Sequence, residues 1–189
     1  MEIKKKDPWI YIISGKAKSG KNTIAKVINQ YLQNQNQKGA ILAYAFYIKA
    51  YTKTITDWDG NENTKPRSFL QKLGTEVIRK KINSHFFTNR MLEDIQVYSY
   101  FFDYLIISDA RTKEEIEEIK KNYNQVVTIY IERPNYDNGL TPDQKNHSTE
   151  LELGDYPYFD YHIVNHSQRE DLENKIIEIM EEIKNEFER

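Results

Sequence analysis

The amino-acid sequence is organised around the stretch Trp9-Ile-Tyr-Ile-Ile-Ser-Gly-Lys-Ala-Lys-Ser-Gly-Lys-Asn-Thr-Ile-Ala25. Its first part, residues 9–13, is apolar and β-branched and has the length of a strand. A loop bounded by two glycines follows, and a helical pattern begins after the loop. Strand, glycine-bounded loop and helix in this order are the context that a phosphate-binding P-loop requires.

Each residue type in the loop has a physical reason. Gly15 and Gly20 can adopt positive φ, so that backbone N–H groups can curl around an anion. The N-terminus of the following helix adds unpaired N–H groups and the positive end of its dipole. Lys21 can reach the outer phosphates as a compact point charge. The loop therefore predicts a nucleotide-phosphate site.

One position departs from the usual P-loop pattern. The template places Ser or Thr, as a magnesium ligand, directly after the lysine. Here Asn22 stands at that position and Thr23 follows it. The amide oxygen of Asn22 could bind magnesium or one of its waters, and Thr23 could meet a phosphate. The alternative interpretation is that residues 15–21 form only a solvated turn. The preceding strand, the spacing and the following helix together disfavour it.

Length and composition bound the class of protein. A chain of 189 residues can bury one sizeable α/β core, and no Pro-, Gly- or Ser-rich linker interrupts it, so we expect a single domain over residues 1–189. Its 27 basic residues are spread along the chain and the net charge is −2, which argues against nucleic acid as the main partner. The absence of cysteine excludes disulfides and thiolate zinc sites. With no membrane span or signal peptide evident, we expect a soluble, cytoplasmic protein without a membrane partner.

Five predicted strands alternate with helices along the chain. They cover residues 9–13, 40–46, 103–109, 126–131 and 158–165. This alternation predicts a three-layer α/β/α fold with a mostly parallel five-stranded sheet, whose ligands bind at the carboxyl ends of the strands. Ser167 is expected to cap the last helix, whose inward positions are Leu172, Ile176, Ile179, Met180, Ile183 and Phe187.

A further helix, predicted over residues 65–81, has two distinct faces. Leu70, Leu73 and Val77 have the spacing of a core face. A polar stripe recurs at i+4 on another face and consists of Arg67, Gln71, Thr75 and Arg79. Gly74, beside the stripe, indicates the close approach of another group. Two arginines on one stripe could hold a phosphate by bidentate hydrogen bonds, with a solvated face as the equal alternative.

An acidic residue ends one of the predicted strands. Asp109 follows residues 103–108, at the sheet edge where the P-loop also lies. An acid beside a P-loop can hold magnesium directly or through water. It could also cap the next helix, and the two roles are compatible. The polar segment 134–147 is long for a connection, which is typical of a functional loop or of disorder.

The chain resembles the deoxynucleoside monophosphate kinase family, within the broader P-loop kinases that include adenylate kinase and phosphomevalonate kinase. The matching stretches are Ser14-Gly-Lys-Ala-Lys-Ser-Gly-Lys-Asn-Thr23, Leu70-Gln-Lys-Leu-Gly-Thr-Glu-Val-Ile-Arg79, Ile106-Ile-Ser-Asp-Ala-Arg111 with Glu114 and Glu115, His147-Ser-Thr-Glu150, and Phe159-Asp-Tyr161. They cover most of the chain in the family's order, and the second is the most specific. The resemblance implies the P-loop NTPase fold of nucleoside monophosphate kinases.

The resemblance also implies an activity. The protein would transfer the γ-phosphoryl group of ATP to a (deoxy)nucleoside monophosphate, giving the diphosphate, with Mg²⁺ as cofactor. Asn22 and Asp109 would be the magnesium ligands, and Lys21, Asp109 and Arg111 the catalytic residues. The sequence leaves open the preferred base, ribose against deoxyribose, and whether the chain forms a homodimer.

The same resemblance assigns the two substrate sites. The implied ATP-binding residues are Gly15, Lys18, Ser19, Gly20, Lys21, Asn22, Thr23 and Arg133. The implied acceptor-binding residues, in a helical region at about 46–100 and after it, are Arg67, Gln71, Thr75, Arg79 and Arg111. Residues at about 133–150, hereafter the candidate lid, resemble the family's lid. Family lids carry several arginines, whereas this one offers only Lys145 after Arg133.

Two other functions compete with this interpretation. One is another P-loop small-molecule kinase, such as a phosphomevalonate-type enzyme. The other is a non-catalytic nucleotide switch, because Asp57 and Gly60 have the spacing of an Asp-x-x-Gly motif. A guanine-reading Asn-Lys-x-Asp motif is absent from the chain, which disfavours the switch.

Overall fold

The centre of the protein is a sheet of five parallel strands. The computed structural model describes residues 3–166 and 168–187. Its strands are β1 (Trp9–Ser14), β2 (Gly39–Leu42), β3 (Tyr104–Ala110), β4 (Val126–Glu132) and β5 (Tyr161–Val164). Their order in the sheet is β2-β3-β1-β4-β5, and every neighbouring pair is parallel. The predicted parallel five-stranded sheet is confirmed.

Helices cover both faces of the sheet. They are α1 (Lys21–Asn34), α2 (Ala45–Thr56), α3 (Arg67–Lys72), α4 (Phe86–Tyr98), α5 (Lys113–Asn122), α6 (Pro142–Lys145), α7 (Ser148–Leu151) and α8 (Arg169–Phe187). Successive residues of a strand face opposite sides. Ile12 accordingly packs in one core with residues of α4 and α5, and Ile13 packs in a second core with residues of α1 and α8. The three-layer α/β/α prediction is confirmed.

The last helix, α8, packs through its predicted apolar face. Five of the six predicted inward residues are buried, namely Leu172, Ile176, Ile179, Met180 and Ile183. The side chain of Phe187, and the predicted cap Ser167, lie outside the described residues. Within the described ranges, no helix combines the length and the apolar character needed to cross a membrane.

The second strand is shorter than its predicted range of 40–46. β2 ends at Leu42 and α2 begins at Ala45. The carboxylate of Asp109 accepts the backbone N–H of Tyr44 at 2.7 Å and that of Ala45 at 3.0 Å. Two N–H groups at the helix start thereby gain partners, which favours the early helix. A short apolar run does not by itself distinguish a strand from the start of a buried helix.

The predicted helix 65–81 also differs from the observed backbone. After α3 the chain continues as a π-helical segment, Leu73–Ile82. Its i→i+5 hydrogen bonds change the helical period. Ile78 is therefore buried, whereas Val77, predicted to face the core, is 38% exposed. A methyl group on Gly74 would lie 2.8 Å from Cδ1 of Ile48, so the predicted close approach to this glycine is confirmed.

Candidate active site

A cavity of about 650 Å³ opens at the carboxyl ends of the strands. This volume is within the usual range for small-molecule sites. Its lining includes twelve of the predicted site residues: Lys18, Gly20, Lys21, Asn22, Thr23, Arg67, Gln71, Thr75, Arg79, Asp109, Arg111 and Arg133. The two others, Gly15 and Ser19, are buried in the loop beside it. The fold thus collects the predicted site residues from four separate parts of the chain around one cavity.

The backbone of the P-loop depends on its two glycines. Gly15 has φ of +144° and Gly20 has φ of +120°, values that L side chains rarely adopt. A β-carbon at Gly15 would also overlap the carbonyl oxygen of Ile131. From the end of β5, the side-chain N–H of Asn165 donates to the carbonyl oxygen of Ser19 at 2.7 Å. The loop therefore packs closely against the end of β4 and is hydrogen-bonded to the residue that follows β5.

Lys21 lies inside this loop. Its side chain is only 8% exposed, and its ammonium donates to the carbonyl oxygens of Gly15 at 2.7 Å and Lys16 at 2.6 Å. Burial, and then the nearby Arg111 guanidinium, lower the pKa of Lys21 to about 7, while the Glu150 carboxylate opposes the shift. A phosphate beside the ammonium would favour its charged form. An anion bound in the loop would therefore raise the pKa of Lys21 and keep the side chain protonated.

A loop hydroxyl is left without a partner. Ser19 is 2% exposed, and within the described part of the chain its Oγ makes no hydrogen bond. A buried polar atom without a partner is costly, and such atoms are retained where they serve a site. The position of this hydroxyl inside the P-loop is consistent with the predicted contact between Ser19 and a nucleotide phosphate.

Asp109 caps α2 rather than the helix that follows it. The alternative role considered for Asp109, a cap of the next helix, is wrong, because α5 begins only at Lys113. Its N-cap is Thr112, which forms a capping box with Glu115. Both carboxylate oxygens of Asp109 accept an N–H from the start of α2, and each oxygen retains a second acceptor site.

The cavity lining includes oxygen donors of the kind that magnesium prefers. These are the carboxylate of Asp109, the amide oxygen of Asn22 and the hydroxyl of Thr23. Among the described residues, no group of three or more acidic or histidine side chains could hold a metal ion. A small number of protein ligands is enough for Mg²⁺, because the ion usually keeps several waters and also binds substrate phosphates. The donor set therefore fits the ion that the sequence implies.

Arg79 is held against the cavity wall by a buried glutamate. Glu115 is 1% exposed, and its Oε1 accepts a hydrogen bond from Nη2 of Arg79 at 2.7 Å. Its Oε2 accepts the backbone N–H of Arg111 at 2.6 Å. The guanidinium of Arg79 also lies 4.8 Å from the ring centroid of Phe87. Glu115 was not among the predicted site residues; its only sequence signal is the capping-box spacing after Thr112, which is typical of a helix start.

The candidate lid is docked on the polar stripe. Nε2 of Gln71 donates to the carbonyl oxygen of Gln144 at 3.4 Å, and Thr75 Oγ1 lies 3.3 Å from Nε2 of His147. Two predicted acceptor-binding residues, Gln71 and Thr75, thus contact the candidate lid. The segment includes two short helices, α6 and α7. The signal for α6 was the sequence Thr141-Pro-Asp-Gln144, a capping box with proline in the first turn.

A second glutamate connects the candidate lid to the P-loop. Glu150 Oε2 accepts the backbone N–H of Ala17 at 2.9 Å, and its Oε1 accepts a hydrogen bond from Nη1 of Arg111 at 2.7 Å. The side chain of Glu150 is 9% exposed. Arg133, also in the candidate lid, lies 3.6 Å from the ring centroid of Tyr136. Glu150 belongs to the stretch His147-Ser-Thr-Glu150, but its spacing gave no sign of either partner.

Solved structures with the same architecture include several P-loop kinases. The APS kinase of Mycobacterium tuberculosis in complex with AMPPNP and APS is 12% identical, with a TM-score of 0.55 over 93% of this chain and 99% of that one. Shikimate kinase from Bacteroides thetaiotaomicron is 14% identical, with a TM-score of 0.54 over 92% and 98% of the two chains. Shikimate kinase from Aquifex aeolicus is 14% identical, with a TM-score of 0.52 over 93% and 98%. The fold is therefore that of the P-loop kinases.

Within this class the family can be stated. Residues 35–176 match the family model of deoxynucleotide monophosphate kinase, and the chain belongs to that family. The matched region begins after the P-loop and includes the polar stripe, the end of β3 and the candidate lid. Family and fold together make the protein a kinase, a phosphotransferase, and the predicted resemblance is confirmed. No curated protein sequence matches the chain.

Proposed function

We propose that the protein transfers the γ-phosphoryl group of ATP to a (deoxy)nucleoside monophosphate, giving the diphosphate. One observation carries the proposal: the P-loop with Lys21 and the arginines Arg79 and Arg111 line the same cavity. Both reactants of such a kinase carry phosphate, and their phosphates must meet in line. A P-loop supports the donor phosphates, and planar guanidinium groups suit the acceptor phosphate.

Each part of the cavity has a role in this proposal. The loop N–H groups and Lys21 would hold the β- and γ-phosphates of ATP. Arg79, with Arg67 farther along the polar stripe, would hold the acceptor phosphate. Arg111, which is linked to the loop through Glu150 and to Arg79 through Glu115, would stabilise the charge on the transferring phosphoryl group. Phosphoryl transfer of this type depends on positioning and charge stabilisation, and it needs no covalent intermediate with the protein.

Magnesium belongs to the proposal as a bound cofactor. Asn22 and Asp109 would hold the ion, directly or through its waters, and Thr23 adds a hydroxyl nearby. The ion would neutralise negative charge that develops on the phosphates. Asp109 has a second task of its own, because it fixes the start of α2 at the cavity wall.

The candidate lid would exclude water from the reaction. Leu140 and His147 line the cavity from this segment. A closed lid prevents the transfer of the γ-phosphoryl group to water, and such lids open and close during turnover. The nucleotide-switch alternative has no support here, since neither Asp57 nor Gly60 is among the residues that line the cavity.

The proposal is tested by substrate profiling. A coupled assay would record ADP release from ATP with a panel of ribonucleoside and deoxyribonucleoside monophosphates, and with phosphomevalonate as a non-nucleotide acceptor. We expect stimulation by one or more nucleoside monophosphates. Stimulation by phosphomevalonate alone would favour the small-molecule kinase alternative.

Asp109→Asn is expected to weaken magnesium-dependent turnover more than acceptor-free ATP binding. Asparagine has one acceptor oxygen, so one N–H at the start of α2 also loses its partner, at a cost of about 1 kcal/mol. Turnover per folded molecule, measured against magnesium concentration, separates the two effects. The control is Asp103→Asn at the other end of β3, where Asp103 accepts the backbone N–H of Lys38 at 2.8 Å. If both variants only lose stability and keep the wild-type magnesium dependence, Asp109 has a structural role alone.

Acceptor binding is expected to weaken as the pH falls through about 7. Burial raises the pKa of Glu115 to about 7, with the Arg79 guanidinium opposing the shift. The folded protein therefore binds a proton that the unfolded chain has lost, and this group lowers the free energy of unfolding as the pH rises from 4.5 to about 7. Protonation of Glu115 at low pH would release Arg79 and raise the acceptor KM.

Steady-state kinetics at several pH values test this titration. In Glu115→Gln the side chain is neutral at every pH, so the acceptor KM is expected to be high and to lose the step near pH 7. The acceptor's own phosphate has a pKa of about 6, and its titration affects all variants alike. Glu114→Gln is the matched control, because Glu114 contacts His85 and Thr88 outside the cavity. A step that persists in Glu115→Gln would assign the titration to another group.

A further inference from the structure

We propose that Glu150 is a positioning residue that couples docking of the candidate lid to the orientation of Arg111 at the transferring phosphoryl group. The role given to Arg111 rests on the proposed function. The contact itself is independent of the substrate. Here the candidate lid would supply a carboxylate that holds an arginine from the end of β3.

The two oxygens of Glu150 bind donors from two different elements. One accepts the N–H of Ala17 in the P-loop, 133 residues away in sequence, and the other accepts a hydrogen bond from Arg111, 39 residues away. The distances, 2.9 and 2.7 Å, are typical of charge-assisted hydrogen bonds. A single carboxylate thus fixes the candidate lid, the P-loop and Arg111 relative to one another.

Burial and charge distinguish this contact from a surface ion pair. The Glu150 side chain is 9% exposed and lines the cavity, so solvent screens its interactions little. Arg111 and Lys21 repel each other, since Arg111 favours the neutral form of Lys21. The Glu150 carboxylate opposes this effect of Arg111 and partly offsets it. The negative charge of Glu150 would thus allow Arg111 and Lys21 to approach the same phosphoryl group. An arginine at position 150 would instead add a third positive charge.

A competing interpretation makes the opposite prediction. The carboxylate could occupy a position that a phosphate oxygen takes when substrate binds, because it uses an N–H of the P-loop and a guanidinium. It would then compete with substrate, and its removal would lower KM. A positioning residue, in contrast, would leave substrate affinity nearly unchanged and lower kcat when it is removed.

The decisive variant is Glu150→Gln. Glutamine keeps the size of the side chain, but its NH₂ group would face either Ala17 N–H or Arg111, so that one of the two contacts is lost. We expect kcat to fall by about 10–100-fold, the cost of a misplaced group at a reacting centre, with the KM for ATP changed less than about twofold. Introduced into Arg111→Lys, the same change is expected to cost much less, because the two residues act through one contact.

The matched control is Glu152→Gln. Glu152 lies two residues further along and accepts the N–H of Lys113 at 2.9 Å, at a site that is not part of the cavity lining. Its activity and Tm are expected to equal those of the wild type. Hydrogen exchange over residues 142–151 gives a readout that needs no substrate. Exchange is expected to be faster in Glu150→Gln and unchanged in Glu152→Gln.

Three results would overturn the proposal. A lower KM or a higher kcat/KM in Glu150→Gln would show that the Glu150 carboxylate competes with substrate. Full additivity with Arg111→Lys would show that Glu150 does not act through Arg111. Wild-type hydrogen exchange in Glu150→Gln would show that it does not hold the candidate lid. If no nucleoside monophosphate is phosphorylated, the proposed function fails, and hydrogen exchange still decides whether Glu150 fixes the candidate lid.

Discussion

Lys21→Ala is expected to lower kcat by about 10²–10³-fold, the usual effect of removing one preorganised group that stabilises transition-state charge. The ammonium lies within the P-loop, bonded to two of its carbonyl oxygens. With a nucleotide bound it would turn to the outer phosphates, where negative charge develops during transfer. The loss should persist at saturating acceptor, because the acceptor does not replace the missing charge.

The matched control for this variant is Lys26→Ala. Lys26 is on the exposed side of the same helix and is not part of the cavity lining. Circular dichroism and Tm would verify that both variants fold. If folded Lys21→Ala turns over at the wild-type rate, the assignment of the P-loop as the donor site is wrong.

Arg79→Lys is expected to raise the KM of the acceptor by about ten- to a hundredfold and to leave ATP affinity nearly unchanged. A hydrogen bond to a charged group contributes about 1.5–3 kcal/mol. Lysine keeps the charge but loses the planar fork, and it also loses the shape that fits between Glu115 and Phe87. The change is therefore not conservative at this position.

The control for Arg79→Lys is Arg90→Lys. Arg90 also pairs with a glutamate and lies 5.6 Å from the ring centroid of Tyr47, but it does not line the cavity. Kinetics with each substrate varied separately, together with direct ATP titration, give the comparison. Equal damage to ATP and acceptor binding would make Arg79 a structural residue or part of the ATP site. An unaffected acceptor KM would show that the polar stripe is a solvated face and not an acceptor site.

Local patterns were enough to predict most of the framework. The apolar run before Gly15 and the helical spacing after Gly20 are properties of neighbouring residues, and both elements form where they were predicted. Alternation of strands and helices was enough for the parallel sheet. Patterns failed where tertiary contacts change the local period. Val77 is exposed because its segment is π-helical, and β2 stops at Leu42 because Asp109 binds the next backbone N–H groups.

The sequence predicted which residues line the candidate site, but it did not predict which of them hydrogen-bond to one another. The P-loop and the polar stripe carry spacing signals, and both line the cavity. Glu115 and Glu150 carry no signal for their partners, because Arg79 lies 36 residues from Glu115 and Ala17 lies 133 residues from Glu150. Which donors a buried carboxylate accepts is set by how distant elements pack. The capping-box spacing after Thr112 indicates a helix start near Glu115, but it carries no information about the arginine that Glu115 holds.

Transfer of radiolabel from γ-labelled ATP tests the proposed reaction most directly. The label would be followed in the products of a reaction with each nucleoside monophosphate, in the presence of magnesium. Our account predicts label in a (deoxy)nucleoside diphosphate, formed in equal amount with ADP and lost together with activity in Lys21→Ala. Label found in inorganic phosphate alone, with no nucleotide acceptor labelled, would contradict the account.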